Sequence, residues 1–147
     1  MPVAAPATLR FSTDKRELDV DAIFDFLHRE AYWSKGIPRD VVERAIDGSL
    51  CFGAYVGERF VGFARLVTDH ATFAYLCDVF VLPAERGRGY GRALIDHVFA
   101  QPMVQGLRRI MLVTSDAHEL YRPVGFGPSA NPERLMEIRR PDLYTKR

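Results

Sequence analysis

The stretch from Val79 to Ala100 reads Val-Phe-Val-Leu-Pro-Ala-Glu-Arg-Gly-Arg-Gly-Tyr-Gly-Arg-Ala-Leu-Ile-Asp-His-Val-Phe-Ala. An apolar run ends at Pro83, glycines follow at positions 87, 89 and 91, and apolar residues then recur at helical spacing. This order predicts a buried strand, a glycine-rich loop and a helix. Glycine permits positive φ and a close backbone approach, so the loop at the helix N-terminus predicts a cradle of N–H groups for an anion.

The charge around this loop favours a phosphate as the anion, because Arg86, Arg88 and Arg92 surround it. A Walker loop requires Gly-Lys-Ser/Thr after its spacer, which is absent, and a Rossmann fingerprint requires glycine where Arg92 stands. The pattern present is Arg86-x-x-Gly89-x-Gly91 between a strand and a helix. The alternative is a glycine-rich surface turn with solvated arginines.

Composition indicates an ordinary globular chain. It has 147 residues, 48% hydrophobic and 27% charged, with a net charge of +1. We expect one domain over residues 1–147, with 1–7 as a disordered tail. The net charge favours neither nucleic acid nor membrane, and no apolar run or signal-peptide pattern indicates export or insertion. Cys51 and Cys77 lie in apolar runs and predict buried free thiols in a reducing, cytoplasmic compartment. The four histidines show no metal-ligand spacing, so no metal is expected.

Hydrophobic periodicity predicts an α/β (α+β) fold, a mixed and mostly antiparallel sheet flanked by helices. Asp19 is the expected N-cap of the first helix. The predicted strands cover 9–12, 50–56, 60–67, 72–82, 109–114 and, weakly, 135–138. The predicted helices cover 20–31, 39–46, the stretch from the glycine loop to Pro102, and 117–121. The strand over 72–82 is nearly continuously apolar, which is typical of a sheet centre buried on both faces.

A second motif, Leu120-Tyr121-x-x-x-Gly125-Phe126, follows the last helix. Together with the glycine loop, it resembles the GCN5-related N-acetyltransferase (GNAT) family, and the order of elements is also that of the family. The resemblance covers the chain from Leu9 onward and is specific only at these two motifs. It implies a GNAT fold, acetyl-CoA as co-substrate, and transfer of the acetyl group to a primary amine of a small molecule or peptide.

The resemblance also implies positions for the coenzyme. The strand before the loop would lend backbone groups to the pantetheine arm, and the loop would hold the pyrophosphate; the residues are Val79, Phe80, Val81, Arg86, Gly87, Arg88, Gly89, Tyr90, Gly91 and Arg92. The hydroxyl of Tyr121 would reach the coenzyme sulfur, the alternative being a plain core residue. Many members carry Asn shortly before this tyrosine, where this chain has Ser115 and Asp116. Either residue would bond the coenzyme amides, or Asp116 would cap the short helix.

Asp78 is the only charged side chain in the predicted strand over 72–82. A buried carboxylate needs a partner, and three roles stay open for this one: general base, anchor for a substrate ammonium, or ion pair with Arg65 on the neighbouring strand. Tyr32 and Trp33 lie in the break between the first two helices, where the fold of the family places the acceptor. We therefore expect Tyr32, Trp33 and Arg65 at the acceptor site, with hydrophobic packing as the alternative for the two aromatic residues.

Direct attack on the thioester is the expected route, because the loop–helix region holds no cysteine that would form a covalent intermediate. A homodimer is a further possibility, with the predicted last strand and the tail over 139–147 at its interface. The rival hypothesis is a non-catalytic acyl-CoA-binding sensor, which would need the glycine loop but neither Tyr121 nor Asp78. A weaker third hypothesis takes the Arg-Gly loop as an RNA contact; the balanced charge argues against it.

Overall fold

Five strands form one mixed sheet, in the order in which they occur along the chain. The computed structural model describes residues 9–145, so the tail expected over 1–7 lies outside the described residues. The strands are β1 (Leu9–Ser12), β2 (Leu50–Val56), β3 (Arg59–Thr68), β4 (Phe73–Val81) and β5 (Arg109–Met111). The first four pair antiparallel, and β5 pairs parallel to β4. The predicted mixed, mostly antiparallel sheet is therefore confirmed.

The helices cover both sides of this sheet. They are α1 (Val20–Asp25), α2 (Arg39–Asp47), α3 (Tyr90–Ala100), α4 (Pro102–Gln105) and α5 (His118–Tyr121). Asp19 caps α1 as predicted, because its Oδ1 accepts a hydrogen bond of 3.0 Å from the Ala22 amide. After Asp25 the chain continues as one π-helical turn, Phe26–Glu30, before the break. Pro102 ends α3 as predicted and also begins α4, a position where its missing N–H costs nothing.

Two hydrophobic cores lie on opposite faces of the sheet, as the alternation of side chains along each strand requires. One core packs α3 against β2, β3 and β4; its buried members include Phe52, Leu66, Leu94, Ile95, Val98 and Tyr121. The other packs α1 and α2 against the same strands; its buried members include Ile23, Phe26, Val42, Tyr55, Phe63 and Phe80. The sheet is thus held from both sides, and its edge at β5 is left open.

β4 contains a bulge close to this edge. Phe63 pairs with Phe80 but Arg65 pairs with Cys77, so β4 contains one extra residue between these pairs. Asp78 lies in that stretch with φ +52, a left-handed conformation that Asp tolerates better than most residues. β5 pairs with β4 only from Phe73 to Tyr75, and the two strands diverge beyond that point.

Three predictions of secondary structure and burial were wrong at this edge. The strand predicted over 109–114 ends at Met111, because β4 has diverged from it. The strand over 72–82 is not buried on both faces: Phe73 is exposed, and residues 77–79 are half-buried where they line a cleft. Among the described residues, 135–138 form no strand. Met136 and Ile138 are 96% and 83% exposed, because no neighbouring strand pairs with their backbone.

Candidate active site

The glycine loop has the geometry of an anion cradle. Gly87 and Gly89 have φ of +81 and +80, so a side chain at either position would strain the backbone. The first N–H groups of any α-helix have no hydrogen-bond acceptor within the helix. Gly89 is the N-cap of α3 and has no side chain that could accept hydrogen bonds from these groups. The first intrahelical bond runs from the Ala93 amide to the Gly89 carbonyl, at 3.1 Å. The N–H groups before Ala93 therefore face outward for an anionic ligand.

The three arginines of the loop differ in their partners. Arg88 pairs with the buried carboxylate of Glu85 at 3.2 Å, and Glu85 also holds Arg59 at 2.8 Å. Arg92 pairs with Asp96 one helical turn later, at 3.1 Å. The Nε of Arg86 donates to the Val81 carbonyl at 3.2 Å, and no carboxylate among the described residues pairs with this arginine. Arg86 thus carries the loop's uncompensated positive charge.

A cleft of about 840 Å³ occupies the space where β4 and β5 diverge. Its walls are β4 from Tyr75 to Val81, the segment 112–116 after β5, α5, the Tyr32–Lys35 stretch and the tail near the C-terminus. Gly91 lines the α3 end of the cleft, where an added Cβ would lie 3.6 Å from Val81. Beyond Tyr75, the edge of β4 that faces β5 has no strand partner, which leaves backbone groups for an extended ligand.

Tyr121 lies in the wall of this cleft and is 8% exposed. Its ring packs edge-on against Phe126, with the ring centroids 5.9 Å apart. Burial raises the pKa of the Tyr121 hydroxyl to about 12, and the neighbouring Tyr32 and Asp116 add to the rise. The phenol therefore keeps its proton at neutral pH, and no group among the described residues hydrogen-bonds its hydroxyl.

Asp78 faces the cleft from β4 and is held by two partners. Its Oδ2 accepts from the Nε of Arg65 at 2.8 Å, and its Oδ1 accepts from the indole of Trp33, also at 2.8 Å. The Arg65 guanidinium in turn donates to the Ser49 hydroxyl at 2.9 Å, just after α2. The ion pair considered for Asp78 and Arg65 is thus present, with the two side chains only 11% and 17% exposed.

The stretch between α1 and α2 touches both walls of the cleft. Trp33 bonds Asp78 on the β4 side, whereas the hydroxyl of Tyr32 accepts from the Ser115 hydroxyl at 2.7 Å on the β5 side. The two aromatic rings meet edge to face, with their centroids 5.1 Å apart. Tyr32, Trp33, Asp78 and Ser115 therefore form one connected group at the mouth of the cleft.

The structure excludes one of the two alternatives for Asp116 in the segment after β5. Asp116 does not cap α5, which has no capping bond to the side chain of its N-cap residue, Ala117. Thr114, two positions before Asp116, instead accepts at its Oγ1 from the amide of Ala117, the residue before α5, at 3.0 Å. Asp116 is thereby left to line the cleft beside Tyr121.

Cys77 also lines the cleft, against the prediction that both cysteines are buried. Both thiols are free, and burial raises the pKa of Cys51 to about 11 and that of Cys77 to about 12. Within residues 9–145, no group of three His, Cys, Asp or Glu side chains could hold a metal ion. No helix in the described part of the chain is long and apolar enough to cross a membrane.

Sequence reasoning missed the tail as part of the cleft. Glu137, Arg139, Arg140 and Tyr144 all line it, although the pattern of these residues had suggested only a strand and a dimer interface. A second cleft, of about 730 Å³, lies on the outer side of β5 and shares Tyr121 with the first. No local sequence signal predicts either feature, because both depend on how the tail returns to the sheet.

Comparisons with known proteins agree with this fold. A sequence model of the Acetyltransferase (GNAT) family matches residues 20–126. A Gibberella zeae protein named as an acetyltransferase is 36% identical over 132 residues, which cover 75% of this chain and 73% of the relative. The chain spans only 33% and 31% of two Glycine max acetyltransferases that also match.

The structural comparisons point the same way. A GNAT-family crystal structure from Xanthomonas campestris pv. campestris is 54% identical, with a TM-score of 0.90 and coverage of 93% of this chain and 96% of that one. AAC(6')-Iy, solved with a bisubstrate analogue of CoA, shares the fold at a TM-score of 0.63 and 22% identity, over 90% of this chain and 97% of its own. The chain belongs to the GNAT family and is an acetyl-CoA-dependent acyltransferase.

Proposed function

We propose that the protein transfers the acetyl group of acetyl-CoA to a primary amine of a small molecule or peptide by direct attack. The observation that carries the proposal is the cleft itself: a protonated Tyr121 lies in one wall, Asp78 lies in the wall opposite, and the glycine loop lies beyond one end. In the reaction, the amine nitrogen bonds the acetyl carbon, the carbon–sulfur bond breaks, and one amine proton is lost while the thiolate gains one.

The coenzyme would be held along β4 and at the start of α3. Its pyrophosphate fits the N–H groups of the glycine loop and the unpaired charge of Arg86. Its pantetheine amides fit the unpaired edge of β4 over Val79–Val81, opposite Asp116. Ser115 is not part of the cleft lining, and its hydroxyl donates to Tyr32. The supporting fact is that β5 leaves this edge after Tyr75, before the bulge at Asp78, and that a cleft occupies the space between them.

Tyr121 is proposed as the acid that stabilises the leaving thiolate. A thiol has a pKa of about 8.5, against about 12 for this hydroxyl. Full proton transfer from Tyr121 to the thiolate is thus uphill by about 5 kcal/mol. A hydrogen bond to the developing charge avoids that cost, and solvent can complete the transfer. Positioned acids of this kind contribute about 10²–10⁴-fold in rate.

Asp78 is proposed to act on the amine. An aliphatic ammonium has a pKa of about 10.4, so only about one molecule in a few thousand is neutral and nucleophilic at pH 7. The Asp78 carboxylate, fixed by Arg65 and Trp33, can attract the ammonium or accept its proton directly or through water. Direct attack is supported by the state of Cys77: with a pKa of about 12 it stays a thiol and is a poor nucleophile.

Location and assembly extend the proposal. We place the protein in the cytoplasm, in keeping with the free thiols of Cys51 and Cys77. A homodimer also stays a proposal, and the exposed apolar side chains of Met136 and Ile138 favour an interface there.

The test is calorimetric titration of acetyl-CoA, followed by turnover with a panel of primary amines. Gly89→Val is expected to abolish coenzyme binding, because a side chain at φ +80 both strains the loop and blocks the backbone approach. Gly57→Val is the matched control: Gly57 also has positive φ, +60, but lies in the turn between β2 and β3. Unchanged coenzyme affinity in folded Gly89→Val would contradict the loop assignment. Absence of turnover with every amine would contradict the acceptor class.

A further inference from the structure

The arginines divide into two groups according to whether a carboxylate pairs with them. Ten form ion pairs within the described residues: Arg10, Arg16, Arg29, Arg39, Arg44, Arg59, Arg65, Arg88, Arg92 and Arg122. Six have no such partner there: Arg86, Arg108, Arg109, Arg134, Arg139 and Arg140. Of these six, Arg86 lies at the glycine loop and Arg108 lines neither cleft. Arg109 and Arg134 line the second cleft, and Arg139 and Arg140 line the first. The unpaired cations thus concentrate where ligands can reach them.

Arg139 and Arg140 belong to a segment that is fixed at its far end. Tyr144 packs against the core formed by α1 and α2. Its carbonyl oxygen would lie 3.2 Å from a Cβ added at Gly36, so the two backbones are in close contact. The tail, residues 134–145, therefore passes from the outer side of β5, where Arg134 and Leu135 line the second cleft, to the stretch between α1 and α2. It carries the two arginines over the cleft as part of its wall.

The charges of this cleft are mixed. Its lining carries Lys35, Arg139 and Arg140 as cations and Asp78, Asp116, Glu137 and Asp142 as anions. Asp78 is neutralised by Arg65. Asp116 acts on the pKa of Tyr121 and Glu137 on that of Tyr75, so these two carboxylates lie near the side chains of α5 and β4. Lys35 lies on the α1–α2 stretch, whereas Arg139 and Arg140 lie on the same tail as Glu137 and Asp142.

We propose that the acceptor carries a carboxylate as well as its amine, in the manner of an amino acid, and that Arg139 and Arg140 bind this carboxylate. The inference rests on the proposed acetyl transfer to a primary amine. The ammonium would lie toward Asp78 and Asp116, next to the thioester, and the carboxylate would lie toward the tail. A guanidinium is suited to this task, because its planar fork matches the two oxygens of a carboxylate.

The experiment compares acceptors that differ only in the carboxylate. L-lysine is paired with cadaverine and L-phenylalanine with phenethylamine, and kcat/KM is measured for each at saturating acetyl-CoA. The wild-type protein is expected to prefer the carboxylate-bearing member of each pair by about tenfold to hundredfold, the range of charge-assisted hydrogen bonds. The double variant Arg139→Gln/Arg140→Gln is expected to lose this preference through a higher KM, with the Kd of acetyl-CoA unchanged. Arg108→Gln is the matched control, since Arg108 is also unpaired but lines neither cleft.

Two results overturn the inference: a wild-type preference for cadaverine and phenethylamine, or an equal loss for both members of each pair in the double variant. A failure of the proposed function is distinguishable, because then neither member of any pair is acetylated. In that case, calorimetry of the CoA-bound protein with N-acetyl-L-phenylalanine and N-acetylphenethylamine still measures recognition of the carboxylate. Equal affinity for these two compounds would contradict the role of the arginines.

Discussion

Tyr55 and Tyr121 belong to the two cores on opposite faces of the sheet and share most of their properties. Tyr55 is 2% exposed and Tyr121 is 8% exposed. Burial raises the pKa of each hydroxyl to about 12, and neither hydroxyl has a hydrogen-bond partner among the described residues. They differ in access: the Tyr55 hydroxyl is sealed against Gly53 in β2, whereas Tyr121 lines two clefts.

A raised pKa is therefore not by itself the sign of a catalytic tyrosine. Both tyrosines are shifted by the same cause, the loss of solvation on burial. A donor can stabilise a thiolate only if the thiolate can come within hydrogen-bond distance. Tyr121 therefore differs from Tyr55 in its position beside the cleft. Substitution of each tyrosine by phenylalanine tests whether this position makes Tyr121 catalytic.

The largest difference is expected from Tyr121→Phe and Tyr55→Phe measured side by side. Tyr121→Phe should lower kcat by about 10²–10⁴-fold, because the leaving thiolate loses its donor. The coenzyme Kd should hardly change, since the ring is kept. Tyr55→Phe should leave kcat as in wild type. Steady-state kinetics and calorimetry measure both values. Equal kcat in the two variants would return Tyr121 to the role of a core residue.

A smaller effect is expected from Asp78→Asn, with Arg65→Gln as its matched control. Both substitutions break the same ion pair, but only the first removes the carboxylate. Asp78→Asn should lower kcat/KM by about 10²-fold at neutral pH. This loss should shrink as the pH rises toward about 10.4, where the amine deprotonates without help.

The pH–rate profiles of both variants distinguish the open roles of Asp78. If Arg65→Gln shows the same pH dependence as Asp78→Asn, the carboxylate is not a base. A loss of equal size at every pH, accompanied by a lower Tm in both variants, would leave Asp78 as a structural ion-pair partner.

Gly53→Ala tests how tightly the Tyr55 hydroxyl is enclosed. A Cβ at this position would lie 2.4 Å from the Tyr55 hydroxyl and 2.8 Å from two ring carbons. Because Tyr55 is fully buried and cannot move aside freely, we expect a destabilisation of about 1–3 kcal/mol. Urea denaturation measures it. Adding Tyr55→Phe should recover part of the loss, since the closest atom is then absent. No recovery in the double variant would place the strain elsewhere.

The smallest effect is expected for the stability of Tyr55→Phe. It removes a buried hydroxyl that has no partner, so the free energy of unfolding should rise by up to about 1 kcal/mol at pH 7. The pKa of Tyr55 is about 12 in the folded protein, against about 10 unfolded. Stability linked to this group is therefore complete below pH 10 and is lost as the pH rises to 12. The advantage of the variant should widen over that interval in urea titrations; a constant difference would contradict the sealed environment.

The parts of this molecule that the sequence predicts are those that depend on local motifs. Gly87, Gly89 and Tyr121 stand out because glycine spacing and a short aromatic motif act over a few residues. The strands and helices of both cores follow from hydrophobic periodicity, and the family resemblance covers their order. Such signals locate the glycine loop at one end of the cleft and predict the element order, including the four antiparallel strands.

The remaining parts of the site depend on contacts between distant segments. Trp33 meets Asp78 across 45 positions, and Tyr32 meets Ser115 across 83. The bulge at Asp78 lies within a run that periodicity interprets as a continuous strand, since an inserted residue leaves the composition of the run unchanged. The return of the tail to the α1–α2 stretch likewise depends on packing of Tyr144, which no local pattern reveals.

The half-buried thiol of Cys77 has a consequence for the integrity of the acyl donor. A thioester held beside a cysteine can lose its acyl group to that cysteine by exchange, but only the thiolate attacks. With a pKa of about 12, the fraction of Cys77 present as thiolate at pH 7 is on the order of 10⁻⁵. Acetyl-CoA bound in the cleft as we propose would therefore lie near a cysteine that does not take up its acyl group, and thiol-directed alkylating reagents should label Cys77 very slowly.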